Sequence, residues 1–146
     1  MRITISSQAR LLHVLRSVVR WQAQQAGFGD SEADCLSMAI DEAASNIIRH
    51  AYCNRPDGRL SVDVQRFDDR IEFSLEDSGP KVNPEKIRPR SLEEVRPGGL
   101  GTYFINCFMD AAFYDESFTG GNRLKLVKYL PGRGSASAQG PGQEIR

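Results

Sequence analysis

Apolar residues recur along this chain in two rhythms. Leu11, Leu12, Leu15, Val18 and Val19 follow a helical period, so residues 8–26 read as a core-facing helix ended by Gly27 and Gly29. A second helical stripe (Leu36, Ile40, Ala43, Ile47, Ala51) runs to about Tyr52. Asp30 or Ser31 can cap it, and Glu32 and Asp34 stand in its first turn, where acids favour the helix dipole. The rhythm then switches to alternation. Leu60, Val62 and Val64 precede Asp68-Asp69, and Ile71, Phe73 and Leu75 follow it, which predicts a hairpin with one buried face. A short strand at Arg2–Ser6 opens the chain, and two strands at about 112–118 and 122–130 meet at Thr119-Gly120-Gly121-Asn122.

Between Ser78 and Gly98 the pattern fails, and Pro80, Pro84, Pro89 and Pro97 interrupt it. A loop of that length inside a compact domain is usually functional or disordered. Gly98-Gly99-Leu100-Gly101 then leads into a helix carrying Tyr103, Phe104, Cys107, Phe108 and Met109. Early helices with strands in hairpins predict an α+β fold: a two-layer sandwich whose mixed, mostly antiparallel sheet is covered on one face by helices. The domain is expected to span 1–130, with a mobile Gly/Ser/Ala/Gln-rich tail over 131–146.

Composition narrows the function classes. The chain has 146 residues, 40% hydrophobic and 26% charged, enough for one domain with a substantial core. Its 19 basic and 19 acidic side chains cancel, which argues against a direct nucleic-acid binder. No apolar run approaches the ~20 residues of a membrane span and no signal-peptide pattern opens the chain, so a cytoplasmic protein is expected. Cys35, Cys53 and Cys107 make no metal or disulfide pattern and read as buried or idle thiols. The charges are unevenly placed. Residues 1–29 carry Arg2, Arg10, Arg16 and Arg20 without an acid, whereas 30–42 carry Asp30, Glu32, Asp34, Asp41 and Glu42 without a base. These are either two solvated helix faces of opposite sign or a polarised surface that docks a charged partner.

Three places carry candidate chemistry. Glu42 and Asn46 stand one above the other on a helix, bordering its apolar stripe; alone they would be a solvated edge, but they can also project into a pocket at the helix–sheet seam. Asp77 continues the inward parity of Ile71, Phe73 and Leu75, a costly position for an acid unless something donates to it. Gly79, two residues on, allows close backbone approach of a ligand, although Asp77-Ser78-Gly79 could equally start a plain turn. Gly98-Gly99-Leu100-Gly101 is either a hinge or a helix N-terminus offering N–H groups to an anion, with Arg96 able to add a full charge. His13 reads as a surface or edge group, His50 as a locally bonded one, and Trp21 with the Phe and Met positions of the last helix as core.

Taken together in order and spacing, Glu42…Asn46…His50-Ala51-Tyr52, Glu76-Asp77-Ser78-Gly79-Pro80 and Arg96-Pro97-Gly98-Gly99-Leu100-Gly101…Phe108-Met109-Asp110 resemble the N, G1 and G2 boxes of the GHKL ATPase superfamily. The likeness covers roughly 3–130 and points to the RsbW-type anti-sigma factors, which are serine-protein kinases. It implies the Bergerat ATP-binding fold. It also implies ATP and Mg²⁺ as cofactors, Glu42 as general base, Asn46 as the Mg²⁺ ligand and Asp77 as the acceptor for the adenine amino group. Gly79 and the segment Gly98-Gly99-Leu100-Gly101 would contact the nucleotide, Arg96 would lie near the γ-phosphate, and 80–97 would form the ATP lid. The lid from Lys81 to Arg96 holds five bases against three acids. Two positions depart from the family pattern: Lys81 replaces a glycine and could reach a phosphate or face solvent. Asn122 stands where a Gly-Thr hydroxyl supports the aspartate, so its amide or a water would take that role. The implied partners are a STAS-domain anti-anti-sigma protein, an alternative sigma factor and a second copy in a homodimer. A non-catalytic ATP-binding adaptor is the alternative, followed by a sensor histidine kinase module and, more remotely, a general ATPase fragment.

Overall fold

A computed structural model of the chain describes residues 1–83 and 105–132. Within them β1 (Arg2–Ser6), β2 (Arg59–Arg66), β3 (Arg70–Asp77), β4 (Ala111–Tyr114) and β5 (Asn122–Tyr129) form one sheet in the order β1-β2-β3-β5-β4. Each pairing is antiparallel, so the expected mixed sheet is antiparallel throughout the described residues. Helices α1 (Leu12–Ala26) and α2 (Asp30–Asn46) supply the second layer. Leu15, Val19, Leu36 and Ile40 bury against Val62, Phe73, Leu75 and Leu126, all essentially removed from water. Each such large side chain contributes about 1.5–3 kcal/mol by the area it hides. The alternating strand positions and helical stripes read from the sequence are the residues that build this core.

Local chemistry sets the element ends. The first helix begins as a single 3₁₀ turn (Ala9–Leu11) before α1. Gly27 closes α1 in the left-handed conformation (φ 105°), while Phe28 N–H reaches back to the Ala23 carbonyl at 3.1 Å. Gly29, rather than Asp30 or Ser31, is the N-cap of α2, and no side chain caps it. Strand β4 is shorter than its apolar pattern suggests. Asp115 ends it by accepting from Ser117 N–H on its carboxylate (3.1 Å) and from Phe118 N–H on its carbonyl (3.2 Å), an Asx turn.

The charge blocks of the first two helices face each other. Arg16 pairs with Asp41 at 3.0 Å and Arg20 with Asp34 at 2.6 Å, so much of the polarity zips across the α1–α2 seam instead of forming two opposed surfaces. Trp21 is not a core residue; half of it is exposed on α1. Cys53 and Cys107 are exposed and Cys35 partly buried, so none is a buried thiol, and all three are free. His13 is an exposed edge group whose Nδ1 meets the Arg10 carbonyl. Met109 is buried as expected and Phe108 packs against the core. Among the described residues no helix is long and apolar enough to cross a membrane.

Candidate functional site

The end of β3 places a carboxylate inside the protein. Register sets Asp77 in an inward row between Leu60 of β2 and Asn122 of β5, and only 5% of it is exposed. Among the described residues two donors reach it, both on Oδ1: Gly79 N–H at 2.8 Å and Asn122 Nδ2 at 3.0 Å. Burial pushes the Asp77 pKa up; the Asn122 and Gly79 hydrogen bonds and the charge of Lys81 oppose that shift without cancelling it. Asn122 does more than support the carboxylate. Its Nδ2 also donates to the Pro80 carbonyl (2.9 Å) and its Oδ1 accepts from Val82 N–H (2.8 Å), tying the segment after β3 to β5. At this position the amide of Asn122 meets Asp77 directly.

Two glycines permit this crowding. A Cβ on Gly121 (φ 133°) would lie 1.9 Å from the Asp77 carbonyl oxygen. On Gly79 a Cβ would come within 2.6 Å of the Ala51 Cβ and 3.0 Å of Asp77 Oδ1. The side of Gly79 where a Cβ would stand faces the chain's own helix end. Lys81 is exposed, and its Nζ donates to the Phe118 carbonyl in the β4–β5 connection.

The second part of the site lies on the helix above the sheet. Glu42 and Asn46 share one side of α2, both partly buried, as their spacing predicts. Directly after Asn46 the helix widens into a π turn, Ile47–Ala51, marked by Tyr52 N–H donating to the Ile47 carbonyl at 3.3 Å. Such π segments are rare and recur at functional sites. Arg49, inside this turn, donates through Nη2 to Asn46 Oδ1 at 2.6 Å and to Glu42 Oε1 at 3.2 Å. His50 is exposed. Cys53 and Asn54 then adopt left-handed backbone (φ 51° and 61°) as the chain leaves the helix.

Tyr52 joins the two parts. Its hydroxyl donates to the Arg59 carbonyl (2.5 Å) and accepts from Ser78 N–H (2.8 Å), and its ring packs where a Gly58 side chain would stand. The end of the helix, the start of β2 and the loop after Asp77 thus meet at one phenol. Glu42 lies roughly 13 Å further along the axis from Ala51, at about 1.5 Å per residue. A ligand reaching from Asp77 to Glu42 would therefore lie along the helix.

Asp77, Gly79 and Asn122 are brought together, and Glu42 is brought to Asn46. Arg96, Gly98, Gly99, Leu100 and Gly101 lie outside the described residues, as do most of the expected lid and the tail from 133 onward. The residues that sequence reasoning missed are Arg49 and Gly121, together with Tyr114. Burial, with the Asp77 charge nearby, raises the Tyr114 phenol pKa, and Tyr114 lines a cavity of about 160 Å³ with Lys81, Val82 and Asn122. A larger cavity of about 450 Å³, between Met1, Gln22 and Val64–Phe67, lies at the other end of β2 from Asp77's partner Leu60.

Comparison with known proteins bears on this arrangement. The family model described as the histidine kinase-like ATPase domain matches residues 5–128. A serine-protein kinase RsbW of Listeria innocua is 30% identical over 118 residues, covering 74% of this chain and 73% of its own. A serine-protein kinase RsbW of Oceanobacillus iheyensis is 25% identical over 134 residues, covering 86% and 84% respectively. With its α+β sandwich and inward Asp77 already in place, the chain belongs to the histidine kinase-like (GHKL) ATPase family, among the proteins of RsbW type.

Proposed function

We propose that this chain is an ATP- and Mg²⁺-dependent serine/threonine-protein kinase of the RsbW type. It phosphorylates a STAS-domain anti-anti-sigma protein in the cytoplasm and, as an anti-sigma factor, holds an alternative sigma factor, working as a homodimer. The observation that carries this reading is the buried Asp77 carboxylate, joined through Tyr52 and Ala51 to the helix that bears Glu42 and Asn46. Among the described residues the donors to this inward acid reach Oδ1, and the second oxygen of a carboxylate can accept from a purine amino group.

The donor set suits the implied metal. Asn46 Oδ1 and Glu42 Oε1 are hard oxygens, and a positive group of the chain already rests on both. When bound, Mg²⁺ would neutralise charge developing on the phosphates. The remaining work falls to the chain: Asp77 and Asn122 orient the purine end, and Glu42 takes the proton from the serine hydroxyl. The hydroxyl oxygen bonds to the γ-phosphorus as the bond to the β-phosphate oxygen breaks and ADP leaves. Arg96 and Gly98-Gly99-Leu100-Gly101 would embrace the phosphates.

Transfer of label from γ-labelled ATP to a STAS-domain partner tests the reading. Glu42→Gln should keep ATP binding and lose about 10²–10⁴-fold in transfer. Binding without transfer by the unaltered chain would instead make it a non-catalytic adaptor.

A further inference from the structure

The oxygen pair that this reading assigns to metal and hydroxyl is already held by one of the chain's own cations. A single nitrogen of Arg49, Nη2, donates to both Asn46 Oδ1 (2.6 Å) and Glu42 Oε1 (3.2 Å). The Arg49 side chain is 42% exposed and that of Glu42 32%, so the contact is no part of the core. Pairs this open to water add little to stability. What the contact does is lay positive charge on hard oxygen donors. A divalent ion on Asn46 Oδ1 would stand within a few ångströms of the guanidinium, and like charges at that separation repel strongly at a protein surface.

We propose that Arg49 is a resident competitor of the divalent cation. In the nucleotide-free chain it occupies Asn46 and Glu42 together. When the metal–nucleotide complex arrives, the guanidinium must leave both oxygens. Arg49 thereby sets the Mg²⁺ concentration at which nucleotide binds. It also keeps Glu42 engaged until the phosphates are seated, which makes it a positioning residue rather than a catalytic one. The inference rests on the nucleotide-binding reading of the site.

The test is Mg²⁺-dependent binding of a fluorescent ADP analogue to the full chain, with bound Mn²⁺ counted by electron paramagnetic resonance as a second readout. Arg49→Met keeps the apolar stem and removes the charge; Arg49→Lys keeps a charge without the planar fork. The metal midpoint should fall about three- to tenfold in Arg49→Met, the range expected of a charge-assisted hydrogen bond half open to solvent, with Arg49→Lys between. An unchanged or raised midpoint in Arg49→Met overturns the proposal. If the unaltered chain binds no ADP at any Mg²⁺ concentration, the nucleotide reading itself fails and the proposal with it. That result is distinct from normal binding whose midpoint ignores residue 49.

Discussion

Asn122 sets its side-chain amide against the carboxylate of Asp77, 3.0 Å away across two paired strands, and both side chains are almost wholly buried. This relationship separates two roles of the acid. The folded-state pKa of Asp77 lies above its ordinary value because burial disfavours the charge. The folded chain therefore holds this proton to higher pH than the unfolded chain. The group's contribution to stability is greatest in acid. It falls as pH rises from the ordinary aspartate range through the raised value, and stays lower above it.

Asp77→Asn should expose the trade. An amide oxygen can still accept from Gly79 and Asn122 while the buried charge disappears, so the variant should match or exceed the parent in urea stability at neutral pH. Nucleotide affinity should fall about ten- to hundredfold, the loss expected for a hydrogen bond to a charged group. Urea melts beside ADP titrations read both, and a variant that loses stability along with affinity would make the carboxylate structural.

Gly79 and Ala51 should behave as a coupled pair. Gly79→Ala drives a methyl into Ala51 and should cost about 1–3 kcal/mol, as overpacking does. Ala51→Gly alone should cost about 1 kcal/mol from lost helix propensity. In the double variant the main clash is gone, so the combined cost should fall short of the sum by about 1 kcal/mol or more. Simple additivity in chemical denaturation would mean that the two segments do not touch.

Strong acid should loosen the β4–β5 connection. Hydrogen bonds from the Ser117 hydroxyl and Arg123, aided by Ser117 N–H, hold the Asp115 pKa down to about 2. A depressed folded value means that the stabilisation is present above the ordinary aspartate range and is lost as pH falls toward 2. Asp115→Asn should flatten the stability profile between pH 4 and 2, and the Asp115 carboxyl resonance should titrate near 2 in the parent. Titration of that resonance near pH 4 would contradict the turn geometry.

Local periodicity accounts for what was readable in advance. Asp77 could be placed inward because a strand alternates, and Glu42 and Asn46 could be placed together because a helix repeats every few residues. Their partners were harder to foresee. Asn122 meets Asp77 only through the β3–β5 register, a long-range pairing that one strand's pattern does not encode. Trp21 reads as core in the sequence because apolar residues on α1 cover a broad arc, with Val14, Val18 and Trp21 adjoining the buried stripe, and periodicity alone does not choose the stripe that meets the sheet. The π turn at Ile47–Ala51 left no mark, since Ile, Arg, His and Ala all enter ordinary helices. Arg49 stands three residues after Asn46 and seven after Glu42, a spacing that shares their helix face.

The phenol of Tyr52 has a mechanical meaning. With three segments anchored on one hydroxyl and the ring wedged against Gly58, the Asp77 end of the site is a fixed joint. Adaptation to an incoming ligand is then left to the Glu42–Asn46 end of the site, where the fastening is a solvent-washed guanidinium. One end of the site works as an anvil and the other as a latch.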